Sequence, residues 1–533
     1  MAYRRQPITV FASALALFLI CAILPVSYML VKFVAGVIQN PSETTSVLLD
    51  GRQLVLLARS MGIALGATMV SLVLGLPCAF ILAAKDLPGR KLFYLLTAMP
   101  LMIPPYVMTG AWVHLLVPEG FVNTALKTLF GSGAQLSLFS GTGCAWCLGI
   151  SHFPIVAIMC ATGLSKTDRN LHDVARLSTG RWGVFRVSTL PQILPHLMSA
   201  TCLVLVFVLG RYGVPSLLGV NTYPVEIFAQ FSAFYDNNAA MATAMPLMIL
   251  VVVLILVQRR LMFNRSYVSI APSSESDNPM ALGTWKYAAM AWLLVLFVVI
   301  IVLPFASVAW RSESLSKAVS ILGDYHESIV ATSMLACLAA LISTTVALPI
   351  GFYLARSSSK SSQVLDVICW LPIAIPGTIL GLGFIGLGSL VPSLRNADSF
   401  GFLLLVAYVG MFSAFSIRIL QASLQQADPN IEDTLALEKC GWHQRLIHID
   451  FPLHARAMAT SFIIVFVLTV GELNATVLLV PPGKETLAVT IDNLLHYGAN
   501  VNASVLCLAE AVLVIIVVLT GLGIWKLTMG RNR

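Results

Sequence analysis

The sequence predicts an all-α membrane protein of about twelve transmembrane helices, arranged as two tandem six-helix repeats related by a pseudo-twofold axis. Three observations carry this reading. The 533-residue chain is 58% hydrophobic and 11% charged, with a mean hydropathy of +0.87, whereas a soluble domain carries about 25% charged residues. Apolar runs of about 18 residues or more recur along the chain, each long enough to cross a hydrocarbon core of roughly 30 Å as a helix. Segments of the first half return in the second at a nearly constant offset.

Taken in order, the spans fall near 9–35, 55–84, 93–116, 143–164, 190–219 and 240–258, then 286–309, 327–355, 364–392, 401–424, 455–480 and 503–527. The run from Ile8 is too long for a cleaved leader and reads as a retained first helix. With the N-terminus inside, 23 of the 32 basic residues fall in cytoplasmic segments. This satisfies the positive-inside rule and places both termini in the cytoplasm. The net charge of +8 therefore reflects membrane orientation, and the chain calls for a lipid bilayer and no nucleic acid.

The repeat is visible residue by residue. "LPCAFILAAKDLPGRKLFYLLTAMPLMIPP" (76–105) aligns with "LPIGFYLARSSSKSSQVLDVICWLPIAIPG" (348–377), pairing Pro77 with Pro349, Pro100 with Pro372 and Pro104 with Pro376 at offset 272. Further on, Asp168, Asn170 and Asp173 pair with Asp428, Asn430 and Asp433 at offset 260. Pro191 and Gly210 pair with Pro452 and Gly471 at 261. The first repeat is expected over 1–262 and the second over 285–533. Between them lies a cytoplasmic linker at 263–284, whose "NRSYVSIAPSSESDNPM" (264–280) is too polar to pack a core. An even number of spans per unit gives both copies one orientation, which favours a pathway between them along the membrane normal.

Two polar inserts interrupt the apolar pattern, "DRNLHDVARLSTGRW" (168–182) and "DPNIEDTLALEKCGW" (428–442). Each reads as a short amphipathic helix, started by Asp168 or by Asp428 and Pro429 and stopped by Gly180 or Gly441. One such helix alone is best read as solvated or interfacial. Two matched copies presented by symmetric halves point to docking of a paired partner.

These inserts resemble the cytoplasmic loop motif of binding-protein-dependent ABC importer permeases, E-A-A-x3-G-x9-I-x-L-P. The second copy runs Asp433, Thr434, Leu435 and closes with Ile449, Asp450, Phe451 and Pro452. The first runs Asp173, Val174, Ala175 and closes one residue short, with Leu190 and Pro191. Aspartate stands in for glutamate in both, and Thr179 and Lys439 stand where the glycine is expected, beside Gly180 and Gly441. Carrying two such halves, the chain resembles the fused permeases of ferric-iron, thiamine and aminophosphonate importers over nearly its whole length. That resemblance implies a soluble periplasmic or extracellular binding protein and two copies of an ATPase subunit clamping the two loops, with Leu177 and Leu435 among the docking residues. It also implies residence in the bacterial inner membrane. It makes ferric iron the first expectation for substrate, with thiamine, an aminophosphonate or a sugar phosphate as alternatives.

No GxxxxGK[ST] loop is present; "PPGKET" (481–486) has Glu after its GK, so the chain is expected to be no enzyme and to leave ATP hydrolysis to its partner. No cofactor or metal is called for, and Cys144 and Cys147, a CxxC inside an apolar run, read as packing. The rival class, an ion-coupled secondary transporter, would use buried ionisable groups, here His152, His196, Arg211, Glu472 and Glu510. Arg211 and Glu472 are 261 apart and so occupy equivalent places in the two halves. The sequence leaves three roles open for them: an ion pair closing the pathway, contact with a charged substrate, or a static pair between helices. Gly210 and Gly471 beside them would permit irregular backbone next to a cavity.

Overall fold

The computed structural model describes residues 7–39, 41, 51–118, 120–131, 133, 135–165, 169–234, 237–263, 281–312, 314–357, 359–390, 401–427, 442–481, 483–497 and 501–530. The linker at 264–280 and residues 428–441 of the second insert, including Asp433, Thr434, Leu435 and Gly441, lie outside the described residues. Within them every regular element is helical. In chain order the first half holds α1 (Ile8–Gln39), α2 (Gly51–Ala83), α3 (Arg90–Met102), α4 (Pro105–Leu115), α5 (Phe121–Phe130), α6 (Gly141–Ser165), α7 (Arg169–Ser178), α8 (Trp182–Leu209), α9 (Gly213–Leu217), α10 (Tyr223–Ser232) and α11 (Asn237–Phe263). The second holds α12 (Gly283–Arg311), α13 (Leu315–Asp324), α14 (His326–Arg356), α15 (Lys360–Ala374), α16 (Gly377–Leu390), α17 (Phe402–Gln426), α18 (Leu446–Val470), α19 (Thr476–Leu479), α20 (Leu487–His496) and α21 (Val501–Gly530).

Ten of these helices are long and apolar enough to cross a membrane, and two bent pairs bring the number to twelve. The bent pairs correct two spans that the sequence reads as continuous. The run at 93–116 turns by 91° between α3 and α4, and the run at 364–392 turns by 99° between α15 and α16. Proline is the cause. Ile103 and Ile375, each preceding a proline, are extended at ψ 130° and 120°, because the ring that follows disfavours the helical region. Both breaks lie among buried residues, Ile103 and Pro104 in one half and Ile375 and Pro376 in the other. Irregular backbone survives at membrane depth only when protein covers it.

Proline shapes the long helices in a second way. Four π turns, Leu19–Ile23, Phe185–Thr189, Val298–Val302 and Leu446–Asp450, each end two residues before a proline: Pro25, Pro191, Pro304 and Pro452. Proline gives no N–H to the carbonyl four residues back and crowds it, so the preceding turn widens. The four sites form two repeat-equivalent pairs, and each turn has α-helix on both sides, with Trp442–Arg445 preceding Leu446–Asp450.

Within each half the pair α2 and α6, or α14 and α17, forms the central packing, with α8 or α18 laid against it; α2 and α6 run parallel, Gly66 lying against Ala145 and Gly75 against Val156. Gly75 and Gly149 let α2 and α6 approach closely, since a Cβ would meet Val156 at 2.8 Å and Val70 at 2.6 Å. Small residues at such contacts are what helix association in lipid relies on.

The first helix of each half crosses to the other. α1 packs on α14, α16 and α17, while α12 packs on α2, α3 and α4. The crossing is tight: Gly410 of α17 lies against the Cys21 carbonyl, Gly383 of α16 against that of Pro25, and Gly386 against Tyr28. A second tie fixes the start of the second half. Asp86, in the turn between α2 and α3, accepts hydrogen bonds from the Leu282 and Gly283 amides at 2.8 and 2.7 Å. Burial pushes this carboxyl up, but the two amides and nearby Lys286 outweigh it and hold it below the usual aspartate range.

Candidate pathway constriction between the halves

The two long helices that the sequence extends to 219 and 480 stop earlier, α8 at Leu209 and α18 at Val470, each capped by a glycine. Gly210 and Gly471 have φ of −85° and −88°, which any residue adopts, so the glycines are not there for backbone freedom. They are there for closeness. A Cβ on Gly210 would meet Pro376 at 3.2 Å, and one on Gly471 would meet Pro104 at 2.7 Å. The helix end of each half thus butts against the proline break of the other, twice, about the pseudo-twofold axis.

The level of this contact follows from packing. Gly163 of α6 lies against His196 of α8, and the His152 ring stands 6.2 Å from that of Phe207. The two helices therefore run side by side and antiparallel, which sets Gly210 level with residue 149. At about 1.5 Å per residue, that is about 12 Å in from the start of α6. The contact sits inside the apolar layer.

The contact at Gly471 has less room than that at Gly210, and a proline ring cannot swing aside. Gly471→Ala is therefore expected to lower stability by about 1–3 kcal/mol and Gly210→Ala by clearly less. Thermal unfolding of the two purified variants reads this, and equal losses would contradict the asymmetry.

Polar groups are gathered around the break. Glu472 is buried and accepts from the Ala475 amide at 2.9 Å and from Asn474 Nδ2 at 3.1 and 3.3 Å. Its Oε1 lies against Gly377, the first residue of α16, so the carboxylate faces a helix N-terminus. Asn474 Oδ1 in turn accepts the Tyr212 amide at 2.8 Å, a hydrogen bond between the halves. Tyr408 and Thr476 hydroxyls meet at 2.7 Å beside it.

Arg211 is placed differently. Among the described residues its guanidinium has no carboxylate within 4.0 Å; Glu472 acts on it only at longer range, as does Arg211 on His152. Of the sequence's three options for the two residues, the geometry brings them to one level but not into contact.

One interface between the halves is richer in polar contacts than its symmetry mate. Tyr106 of α4 donates to Glu510 of α21 at 2.6 and 2.8 Å, Ser504 and His114 Nε2 lie 3.3 Å apart, and Ser216 and His496 Nε2 3.2 Å apart. At the place equivalent to Tyr106 stands Thr378. The sequence marked Glu510 as a buried ionisable group, but its partner is 404 residues away and left no local signal. His152, also on that list, is buried with Nδ1 2.7 Å from the Leu148 carbonyl. Cys144 and Cys147 are free and buried. Among the described residues no group of three or more His, Cys, Asp and Glu could hold a metal ion.

The first polar insert forms α7, ten residues long, which includes Asp173. Ala175 is buried at 6%, whereas Val174 is 63% and Leu177 91% exposed. Gly180 follows the helix end and is exposed, and Trp182, two residues on, stands 82% exposed. Behind this face the Phe185 ring lies 6.3 Å from that of Phe80 of α2, tilted by 45°. In the second half the same brace is made by other chemistry: Arg445 lies 4.9 Å over Phe352, the repeat equivalent of Phe80, and pairs with Asp450 at 3.1 Å. Pro191 and Pro452 both stand in the first turn after the π segments.

Comparison with known proteins gives a family. The family model described as "Binding-protein-dependent transport system inner membrane component" matches the chain twice, over residues 71–264 and 347–524. The Fe(3+)-transport system permease protein FbpB 2 of Haemophilus influenzae is 23% identical over 465 residues, covering 84% of this chain and 86% of that protein. The ferric transport system permease protein FbpB of Actinobacillus pleuropneumoniae is 22% identical, covering 86% of this chain and 69% of its own length. A shorter match, 30% identical over 170 residues, is to the molybdenum transport system permease protein ModB of Escherichia coli, spanning 32% of this chain and 72% of that one.

Proposed function

This chain belongs to the family of binding-protein-dependent transport system inner membrane components, and from that premise we propose that it is the fused, two-half permease of a ferric-iron importer. It is a multi-pass inner-membrane permease and, as a member of that family, not itself an enzyme. Its two repeats enclose the pathway, with Gly210, Arg211, Gly471 and Glu472 at the constriction. Two copies of a separate ATPase dock on the loops around α7 and 428–441, and a soluble binding protein delivers iron to the opposite face. Both termini and the inter-repeat linker lie in the cytoplasm.

The observation that carries the substrate is the breadth of likeness to the Haemophilus protein, which runs through both repeats. The molybdenum-named relative reaches only 32% of the chain, which one repeat accounts for. The docking role of the α7 loop is supported by its exposed Val174 and Leu177, apolar side chains held out by a helix whose Ala175 faces inward. Mechanistically, the constriction separates the two faces while Gly210 meets Pro376 and Gly471 meets Pro104. A closure of the ATPase pair that drives the two loops together would swing α8 and α18 and part these contacts.

The test is purification of the tagged chain from its native membrane. The expected result is co-purification of an ATPase whose hydrolysis is stimulated by iron-loaded binding protein, with none from the chain alone. Hydrolysis by the isolated chain, or iron uptake without any ATPase, would overturn the proposal.

A further inference from the structure

Among the described residues Arg211 has no carboxylate at contact range, and it stands where the two halves meet. In the run Val208–Pro215 it is the one residue that keeps accessible surface; Val208, Leu209, Gly210, Tyr212, Gly213, Val214 and Pro215 are all buried. Arg211 is thus only partly buried in an otherwise packed wall where the two halves meet. The nearest acid is already engaged, because Glu472 accepts from Ala475 and Asn474 and faces the start of α16. The repeat places Arg211 where Glu472 stands in the other half. There the equivalent helix start is that of α4, since Pro105 corresponds to Gly377. A carboxylate is favoured at such a helix end and a guanidinium is not. His152, the other titratable neighbour, is occupied with the Leu148 carbonyl through Nδ1 and adds no negative charge.

A guanidinium left without a carboxylate in a low-dielectric wall is costly unless a ligand completes it. We propose that Arg211 is an anion-binding residue of the pathway, and that iron passes this level complexed by an oxyanion or a carboxylate rather than as a bare cation. This rests on the reading of the chain as an iron importer. A bare trivalent ion would be repelled by Arg211 at this level, whereas a phosphate or citrate complex presents oxygen pairs that match the guanidinium fork. The apolar neighbours fit the same picture, since Phe207 and Phe415, with ring centres 6.3 Å apart across the halves, offer no oxygen ligands to a hard metal ion.

The experiment uses the full-length chain in lipid nanodiscs, with equilibrium binding of inorganic phosphate and of citrate measured against chloride at matched ionic strength. Saturable binding of at least one anion is expected in the unaltered chain. Arg211→Gln should weaken it about tenfold or more, the worth of a charge-assisted hydrogen bond. Arg211→Lys should retain part of it, and Glu472→Gln should tighten it by removing the competing acid. Elution profile and unfolding temperature without anion establish that each variant is folded. Absence of saturable binding in the unaltered chain, equal binding by Arg211→Gln, or weakening by Glu472→Gln would each overturn the proposal. ATPase co-purification is scored on the same preparations, so its loss would count against the importer reading and not against the anion site.

Discussion

Replacing Leu177 by aspartate is expected to leave the permease folded and inserted while lowering iron uptake by about 100-fold or more. Leu177 is 91% exposed, so the substitution disturbs no contact in the isolated chain, and the expected change in stability is within about 0.5 kcal/mol. In the assembled transporter the same side chain would sit in a groove of the ATPase. Truncating a leucine buried at an interface costs about 2–4 kcal/mol, and placing a carboxylate there adds its desolvation. At roughly 1.4 kcal/mol per tenfold, this is enough to separate the two proteins. The measurements are membrane level, complex yield and uptake. Ala175→Asp makes the contrast, because Ala175 is 6% exposed and its replacement should reduce folded yield first. Normal uptake by Leu177→Asp at normal membrane level would show that α7 is not the contact.

Glu472→Gln is expected to destabilise the permease by about 2–3 kcal/mol, the worth of hydrogen bonds to a buried charge. The glutamine amide would face Asn474 Nδ2, donor against donor, so the crosslink from Asn474 to the Tyr212 amide is disturbed as well. The loss should be partly reversed in the Arg211→Gln/Glu472→Gln double variant, because Glu472→Gln takes away the acid that acts on Arg211 and Arg211→Gln removes that cation. A coupling of about 1 kcal/mol between the two sites is the expected reading of the cycle from thermal unfolding. Strict additivity would mean that the two charges do not sense each other across the constriction.

Much of this architecture was legible before any coordinates. Hydropathy marks the spans because lipid demands apolar surface over a fixed length, and the offset of 272 pairs the prolines that later prove to break α3 from α4 and α15 from α16. The right-angle turns themselves were not read, although "MIPPY" and "AIPGT" carry the signal. A window average over such a run stays apolar whichever way the chain turns. Arg211 and Glu472 were found as equivalents by counting, yet counting cannot reveal that Asn474 and the start of α16 claim the carboxylate and leave the guanidinium open. Tyr106 was missed because a tyrosine in an apolar run looks like packing until Glu510 is seen beside it. The crossing of α1 to the other half also left no mark, since any apolar helix can be matched to any other in a single sequence.

That crossing governs how the molecule is made. The helix synthesised first finds its seat on α16 and α17, where Gly383, Gly386 and Gly410 receive it. Roughly 390 residues of chain separate Cys21 from Gly410, so at about 5–20 residues per second the ribosome needs some 20–80 s to supply the seat. Throughout that interval α1 stands in the bilayer with its inner face against lipid or against a borrowed neighbour. Lipid tolerates the wait, because tails are as apolar as the final partner and no hydrophobic force hurries the helix into a wrong one. Insertion and assembly are thereby separated in time, and the last third of the chain, on arriving, closes both halves at once.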